Sequence, residues 1–548
     1  MTTSFQRAHR ISGGDALRGK PTKKSSGIDR NTEDSLSKEL NMFSISKPRG
    51  YLGSAMILAF LLANVTPSRA QPTDSSAADT STPTLQDLDQ KIRILQRQLE
   101  LRDADDQDKA ATTPTLSTGP DGFILRSADG NYSFRTGVLL QADYRGFIGD
   151  TNYNDVKKYS ADSSYTDPNG YLKHFPKLES AFLLRRLRPT WNATLWRYYN
   201  FVLTPDFAGG TLAVLDAYGE VNYWSALRLR VGKFVPLVGL ERLQSSADNN
   251  FVEYNFPILL TVQRDIGAQI SGNFWNQSIS YAAGVFNGAA DGANKDIDST
   301  ADKTLAGRIF LKPFANTGLD FLSGLGLGIA GSWGSVWGDS VNSELAAYKT
   351  SGQNTFFSYR HNAVDAGSVR AAGNHYRVNP EAYWYAGPFS LFGEYVLSAQ
   401  KVSTSKPVHD TVAADKDYIE DNAATLANQA WGVSASWVVT GEATSFKSVT
   451  PRHNLSPDGS GLGAIELVVR TGQFIADPKT FPIYADTLAS ARKATSFGGG
   501  VNWYASRNVK WVFDYEYTQF EQGAKNWAGA VKDRDAEQVA TARVQLNF

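Results

Sequence analysis

From Phe123 to Phe548, apolar side chains recur at every second position, and this period of two dictates strands that are oily on one side and wet on the other. After the hairpin signal Asp129-Gly130, one face carries Tyr132, Phe134, Val138, Leu140, Ala142 and Tyr144, and the other carries Arg135, Gln141, Asp143 and Arg145. Leu227, Leu229 and Val231 alternate in the same way with Arg228, Arg230 and Gly232. So do Trp431, Val433, Ala435 and Trp437 with Gly432, Ser434 and Ser436, and Trp511, Phe513 and Tyr515 with Lys510, Asp514 and Glu516. About sixteen such segments are joined alternately by short turns and by long polar loops near 148–178, 287–303, 335–374 and 401–427.

Two architectures accommodate that pattern. A soluble sandwich or propeller would press the oily faces together in a dry core, whereas a membrane barrel turns them to lipid and lines its lumen with the polar faces. Trp191, Trp224, Trp384 and Trp503 lie near strand ends, where aromatic girdles meet lipid headgroups, and this favours the barrel. The predicted fold is all-β: a transmembrane antiparallel β-barrel of about sixteen strands over residues 122–548. No stretch reaches the roughly 18 apolar residues of a membrane helix. The last strand puts Ala540, Ala542, Val544, Leu546 and Phe548 on one face and Thr541, Arg543, Gln545 and Asn547 on the other. A terminal Phe on such a strand resembles the signal by which outer-membrane barrels are recognised, so the insertion machinery and outer-membrane lipid are expected partners.

The N-terminal part reads differently. Residues 1–41 are polar and without period, and the start at Met1 or at Met42 is left open. Lys47 and Arg49 then lead into the apolar run Tyr51–Ala63 and the small residues Ser68 and Ala70. Residues 1–41 thus read as a disordered or over-extended start, and from Met42 the basic flank, short apolar run and small residues at the cleavage positions predict a signal peptide cleaved near Ala70, the alternative being a short buried helix. All three methionines (Met1, Met42, Met56) would leave with it. Residues 71–121 form a linker around a helix predicted over 85–102, where Leu85, Leu88, Ile92, Leu95 and Leu99 repeat at spacings of 3 and 4. Two heptads suit either an accessory coiled coil in an oligomer held elsewhere or a plain amphipathic helix.

Chemistry is sparse. The chain has no cysteine, so thiolate metal sites and thiol nucleophiles are absent, and its six histidines (His9, His174, His361, His375, His409, His453) fall at no ligand spacing. There is no HExxH, GxSxG or P-loop, and carboxylate pairs such as Asp514 and Glu516 read as lumen residues rather than a hydrolytic dyad. An enzyme, a metal and a cofactor are not expected, nor is a nucleic-acid partner. What stands out is clustered arginine: Arg185, Arg186 and Arg188 at one strand start, and Arg228, Arg230 and Lys233 on another. Guanidinium forks suit phosphate or carboxylate, and rings of Arg and Lys make a pore favour anions. Asp143, Asp216 and Glu220 could equally pair with those cations and produce only a transverse field. Strict alternation turns Arg186 and Arg188 inward and Arg185 toward lipid, unless the strand starts after it or a bulge intervenes.

Several motifs carry a resemblance. Val231-Gly232-Lys233-Phe234, Gly239-Leu240-Glu241-Arg242-Leu243-Gln244-Ser245-Ser246, Arg264-Asp265-Ile266-Gly267 and Gly284-Val285-Phe286-Asn287-Gly288 resemble the phosphate- and polyphosphate-selective porin O/P family. Leu140 to Tyr144, Asp216-Ala217-Tyr218, Thr440-Gly441-Glu442, Asn502-Trp503-Tyr504 and Arg543 to Phe548 add to it. The resemblance covers about 120–548. It implies a sixteen-stranded barrel in the outer membrane of a Gram-negative bacterium, usually a homotrimer, with loops folded inward and small anionic solutes such as phosphate or polyphosphate diffusing through. Arg185 and Arg186 match the family's paired arginines and Asp216 its aspartate. Three expected cations are replaced, by Leu139, Ala247 and Tyr254. Arg360, Arg370 and Arg377 stand where an outer-mouth arginine ladder would be. The expected pore-lining set is therefore Arg185, Arg186, Arg188, Asp216, Arg228, Arg230, Lys233, Asp143 and Arg145. Two competing functions remain: a non-conducting surface barrel serving adhesion or envelope tethering, and an outer-membrane hydrolase, for which no site is assembled.

Overall fold

The computed structural model describes residues 84–148, 180–297, 300–339, 341–361, 367–404, 422–481, 483–486, 490–522 and 535–548. The extension and signal peptide expected over 1–70 lie outside them. Helix α1 (Leu85–Thr112) runs ten residues beyond the predicted end. Its Leu/Ile seam stops at Leu99, so the last turns of the helix continue beyond the apolar repeat.

Strands β1 (Thr115–Gly119) and β2 (Gly122–Arg126) make a short hairpin whose second arm pairs with the start of β3 (Ser133–Phe147). The chain then meanders through β4 (Ala181–Leu195), β5 (Tyr199–Asp206), β6 (Ala213–Trp224), β7 (Leu227–Phe234), β8 (Asp265–Phe274), β9 (Ile279–Phe286), β10 (Thr304–Leu311) and β11 (Leu325–Trp337). A small hairpin, β12 (Tyr348–Lys349) and β13 (Thr355–Phe357), interrupts it. The meander resumes with β14 (Val369–Ala386), β15 (Phe389–Thr404), β16 (Asn422–Val438), β17 (Ala464–Ile475), β18 (Lys493–Tyr504), β19 (Val509–Glu521) and β20 (Glu537–Asn547). Each strand pairs antiparallel with the next, and β20 pairs back with β3 from Val539↔Phe147 to Asn547↔Leu139. Sixteen strands, β3–β11 and β14–β20, thus form a closed barrel, and closure leaves no unpaired edge in the bilayer. The last residue completes it: Phe548 N–H donates to the Val138 carbonyl (3.1 Å) and Val138 N–H to that of Phe548 (2.9 Å).

Side chains obey the period of two. On β20 Leu546 is 40% exposed on the outer face, whereas Arg543 is 2% exposed on the inner one. Phe134, Tyr144, Val433, Trp437, Phe513 and Tyr515 likewise face outward. Among the described residues no helix is long and apolar enough to cross a membrane.

The lumen is largely filled. Loop 235–264, which contains α2 (Leu240–Leu243) and a 3-10 turn (Phe256–Leu260), folds inward, and buried backbone groups there need partners. Wall side chains supply them. Asn379 and Glu394 accept from Gly239 N–H (2.8 Å) and Leu240 N–H (2.7 Å), and Asp514 from Val252 N–H (2.6 Å). Lys510 donates to the Asn249 carbonyl (2.7 Å) and Arg470 to that of Glu253 (2.5 Å). Gly432 and Gly472 make a notch for Asn255, since a Cβ on Gly472 would lie 2.1 Å from its Oδ1.

From the other end of the barrel, the long turn 439–463 comes up to meet this loop: Ser448 N–H donates to Asp248 (2.9 Å) and Gln244 to the Phe446 carbonyl (2.9 Å). That turn explains Val438, an apolar residue on a polar face, which packs with Val449, Ala464 and Tyr504. A third insertion, the β12–β13 hairpin, seats Tyr348, Phe356 and Phe357 on inward residues Val396, Val402, Leu426, Phe474 and Phe520. The strands beside it outlast the predicted loops at 335–374 and 401–427, because this apolar cluster holds their ends.

Candidate functional site

Loop 235–264 and the β12–β13 hairpin border a cavity of about 720 Å³ against the β3–β7 wall. Arg135, Arg185, Arg186, Arg188, Arg230, Arg242, Arg264 and Lys349 line it, against only two acidic side chains, Asp216 and Glu253. Strand β4 supplies three of these cations through a local irregularity. Gln141 pairs with Arg186 but Ala142 with Leu184, so Arg185 is the extra residue of a β-bulge. The bulge turns both Arg185 and Arg186 inward, resolving the conflict that strict alternation posed.

Several of these charges are spent locally. Arg185 grips Glu253 with both ends of its fork, Nε to Oε1 at 2.6 Å and Nη2 to Oε2 at 3.1 Å, and Arg145 reaches the same Oε1 at 2.7 Å. Arg188 pairs with Asp206 (2.7 Å), Arg230 with Glu220 (2.6 Å) and Arg264 with Asp216 through both oxygens (2.8 and 3.2 Å). Burial alone would raise the Glu253 carboxyl, but Arg185, followed by Arg186 and Arg145, holds it well below the usual carboxylate range. Three cations remain in surplus, for among the described residues Arg186, Arg242 and Lys349 form no ion pair. Arg186 donates Nη1 to Gln141 (2.6 Å) while its buried Nε has no partner. Arg242 donates only to Thr261 Oγ1 (3.2 Å) and the Ile258 carbonyl (2.9 Å). Tyr254 lies between these two, 5.7 Å from Arg186 and 5.6 Å from Arg242, measured from guanidinium carbon to ring centroid. Burial pushes its phenol up, yet Arg186, Arg242, Arg188 and Arg264 together bring it below its ordinary value.

Of the residues expected to line the pore, Arg185, Arg186, Arg188, Asp216 and Arg230 meet at the cavity. Asp143 and Arg145 face inward behind it, Asp143 clamped by Arg543 (2.7 and 2.8 Å). Arg228 lies outside the lining, and Lys233 pairs with Asp296 on loop 287–297. Arg360, Arg370 and Arg377 do not reach the cavity either. Arg377 is buried against Asp291 (2.7 Å) and the Ala289 carbonyl (3.2 Å), tying that same loop to the wall. At the three positions where a cation was expected, Leu139 and Tyr254 line the cavity, while Ala247 is buried with its carbonyl accepting from Gln545 (2.9 Å). Sequence reasoning did not assign Arg135, Arg242, Arg264 or Lys349. Arg242 and Arg264 stood inside the quoted motifs, but Lys349 enters only because its hairpin folds inward. No group of three or more potential metal ligands occurs among the described residues.

Comparison with known proteins follows the same line. The model of the family described as phosphate-selective porin O and P matches residues 161–548. Porin O of Pseudomonas aeruginosa is 23% identical over 407 residues, covering 71% of this chain and 83% of its own length. Among solved structures, the outer membrane channel DcaP of Acinetobacter baumannii is similar at a TM-score of 0.42 and 10% identity, over 76% of this chain and 98% of that one. The anion-selective porin from Comamonas acidovorans is similar at a TM-score of 0.42 and 9% identity, over 76% and 100%.

Proposed function

The chain belongs to the phosphate-selective porin O and P family, and from that premise we propose that its arginine-lined cavity is the selective passage for small anions such as phosphate or polyphosphate. The protein is a porin of the Gram-negative outer membrane, a channel rather than an enzyme. One observation carries the anion reading: eight cationic side chains against two acidic ones line the cavity, and among the described residues Arg186, Arg242 and Lys349 form no ion pair. Inside a low-dielectric wall such a surplus concentrates anions and repels cations. Solutes pass down their gradient, and the side chains replace part of the anion's hydration without forming or breaking a bond.

The finer features belong to this proposal as well. The N-terminal 70 residues direct export and are removed, three copies assemble in the membrane, and Phe548 is read by the insertion machinery. The ion pairs of Arg185 with Glu253 and Arg264 with Asp216 hold the aperture open in one shape, while the unpaired cations set its sign.

Planar-bilayer recordings in a tenfold potassium chloride gradient test the reading. The expected reversal potential has the sign of chloride permeation, and substituting Arg242 by Gln moves it toward zero. Insertion without conductance, or a reversal potential of potassium sign, overturns it.

A further inference from the structure

Resting on the anion-pore reading, we infer that the preferred solutes are organic anions in which one carboxylate is joined to an aromatic ring. The cavity is unusual in how it mixes its surfaces. The unpaired guanidinium of Arg242 lies beside the Tyr254 ring, and the aliphatic side chains of Leu139 and Leu259 line the same cavity. Two of these, Leu139 and Tyr254, occupy positions where cations were expected, so apolar surface stands in the cavity lining where charge was expected.

That exchange changes which anion the site can desolvate. Inorganic phosphate is hydrated on every side and needs donors all round to replace its water. Here Arg185, Arg188, Arg230 and Arg264 already give donors to protein carboxylates, and in place of two expected cations Leu139 offers no donor and Tyr254 a single neutral hydroxyl. An aryl carboxylate asks for less: a fork for one end, and an apolar surface for a ring that water solvates poorly. Arg242 keeps Nη1 without a hydrogen bond to any described residue, since its Nε and Nη2 are directed at Thr261 and Ile258. The same guanidinium sits 5.6 Å from the Tyr254 centroid, so a ring stacked on or against Tyr254 has its carboxylate within reach of that fork. Arg186, beneath the tyrosine on the wall, adds positive potential while its Gln141 bond fixes its position.

The test is block of the single-channel chloride current of the purified full chain by millimolar benzoate, cyclohexanecarboxylate, acetate and phosphate. Benzoate is expected to halve the current at a concentration about threefold to tenfold below acetate and phosphate, the range one aromatic contact provides. Cyclohexanecarboxylate should fall between benzoate and acetate. Tyr254→Leu should erase the advantage of benzoate over acetate, Tyr254→Phe should keep it, and Tyr254→Arg should shift the preference to phosphate. Equal block by benzoate and acetate in the unaltered protein, with chloride selectivity intact, overturns this inference and leaves the pore reading standing. A cation-selective channel overturns both.

Discussion

Glu253 joins selectivity to rigidity. Its carboxylate takes Arg185 and Arg145 while its carbonyl takes Arg470, so one residue of the inward loop is bound to three strands of the wall. Glu253→Gln keeps the shape and removes the charge. Arg185 then faces the cavity without its counter-charge, while Arg145 behind it keeps Asp143 (4.0 Å), and the reversal potential should move further toward that of chloride. Thermal unfolding in detergent should fall at the same time, because breaking a buried pair costs about 3–5 kcal/mol. An unchanged reversal potential would contradict this account of the aperture. The arginines were legible in the sequence by their density, but no role was read for Glu253. Its partner Arg185 lies 68 positions away in the chain, and nothing local in a sequence encodes such a contact.

At the scale of the element, the bulge in β4 decides how many arginines the pore receives. Leu184 and Phe182 are exposed on the outer face, Arg186 is buried on the inner one, and Arg185 is the residue that pairs with neither register. Deleting Arg185 should therefore leave a regular strand with Leu184 still outward and Arg186 still inward. The shortened protein is expected to fold, as judged by a compact, heat-sensitive band on a denaturing gel, and to show weaker chloride selectivity. Inserting a residue after Leu187 instead reverses the faces of one strand segment, and the folded band should be lost. Strand alternation was readable because lipid outside and water or loop inside impose period two on every strand. The bulge was only one of three options for Arg185, since its position depends on the partner strand's register.

For the molecule as a whole, the barrel is less a hollow tube than a cylinder packed on one side. Phe356 is fully buried at the centre of that packing, against Phe256 (ring centroids 5.7 Å apart), Phe474 (5.3 Å) and Phe520 (6.0 Å). Phe356→Ala removes contacts worth about 3–5 kcal/mol from the seat of the β12–β13 hairpin. The expected result is a larger and noisier single-channel conductance with the barrel intact, and conductance equal to that of the parent would refute the plug. By itself the sequence determined the sixteen crossings, their inner and outer faces and the arginine-rich wall, because each follows from what one strand must show to lipid on one side and to the lumen on the other. Only the tertiary structure decided which arginines remain unpaired and where the passage runs. Three insertions far apart in the chain meet inside the closed cylinder, and ion pairing depends on distances in space that no periodicity records.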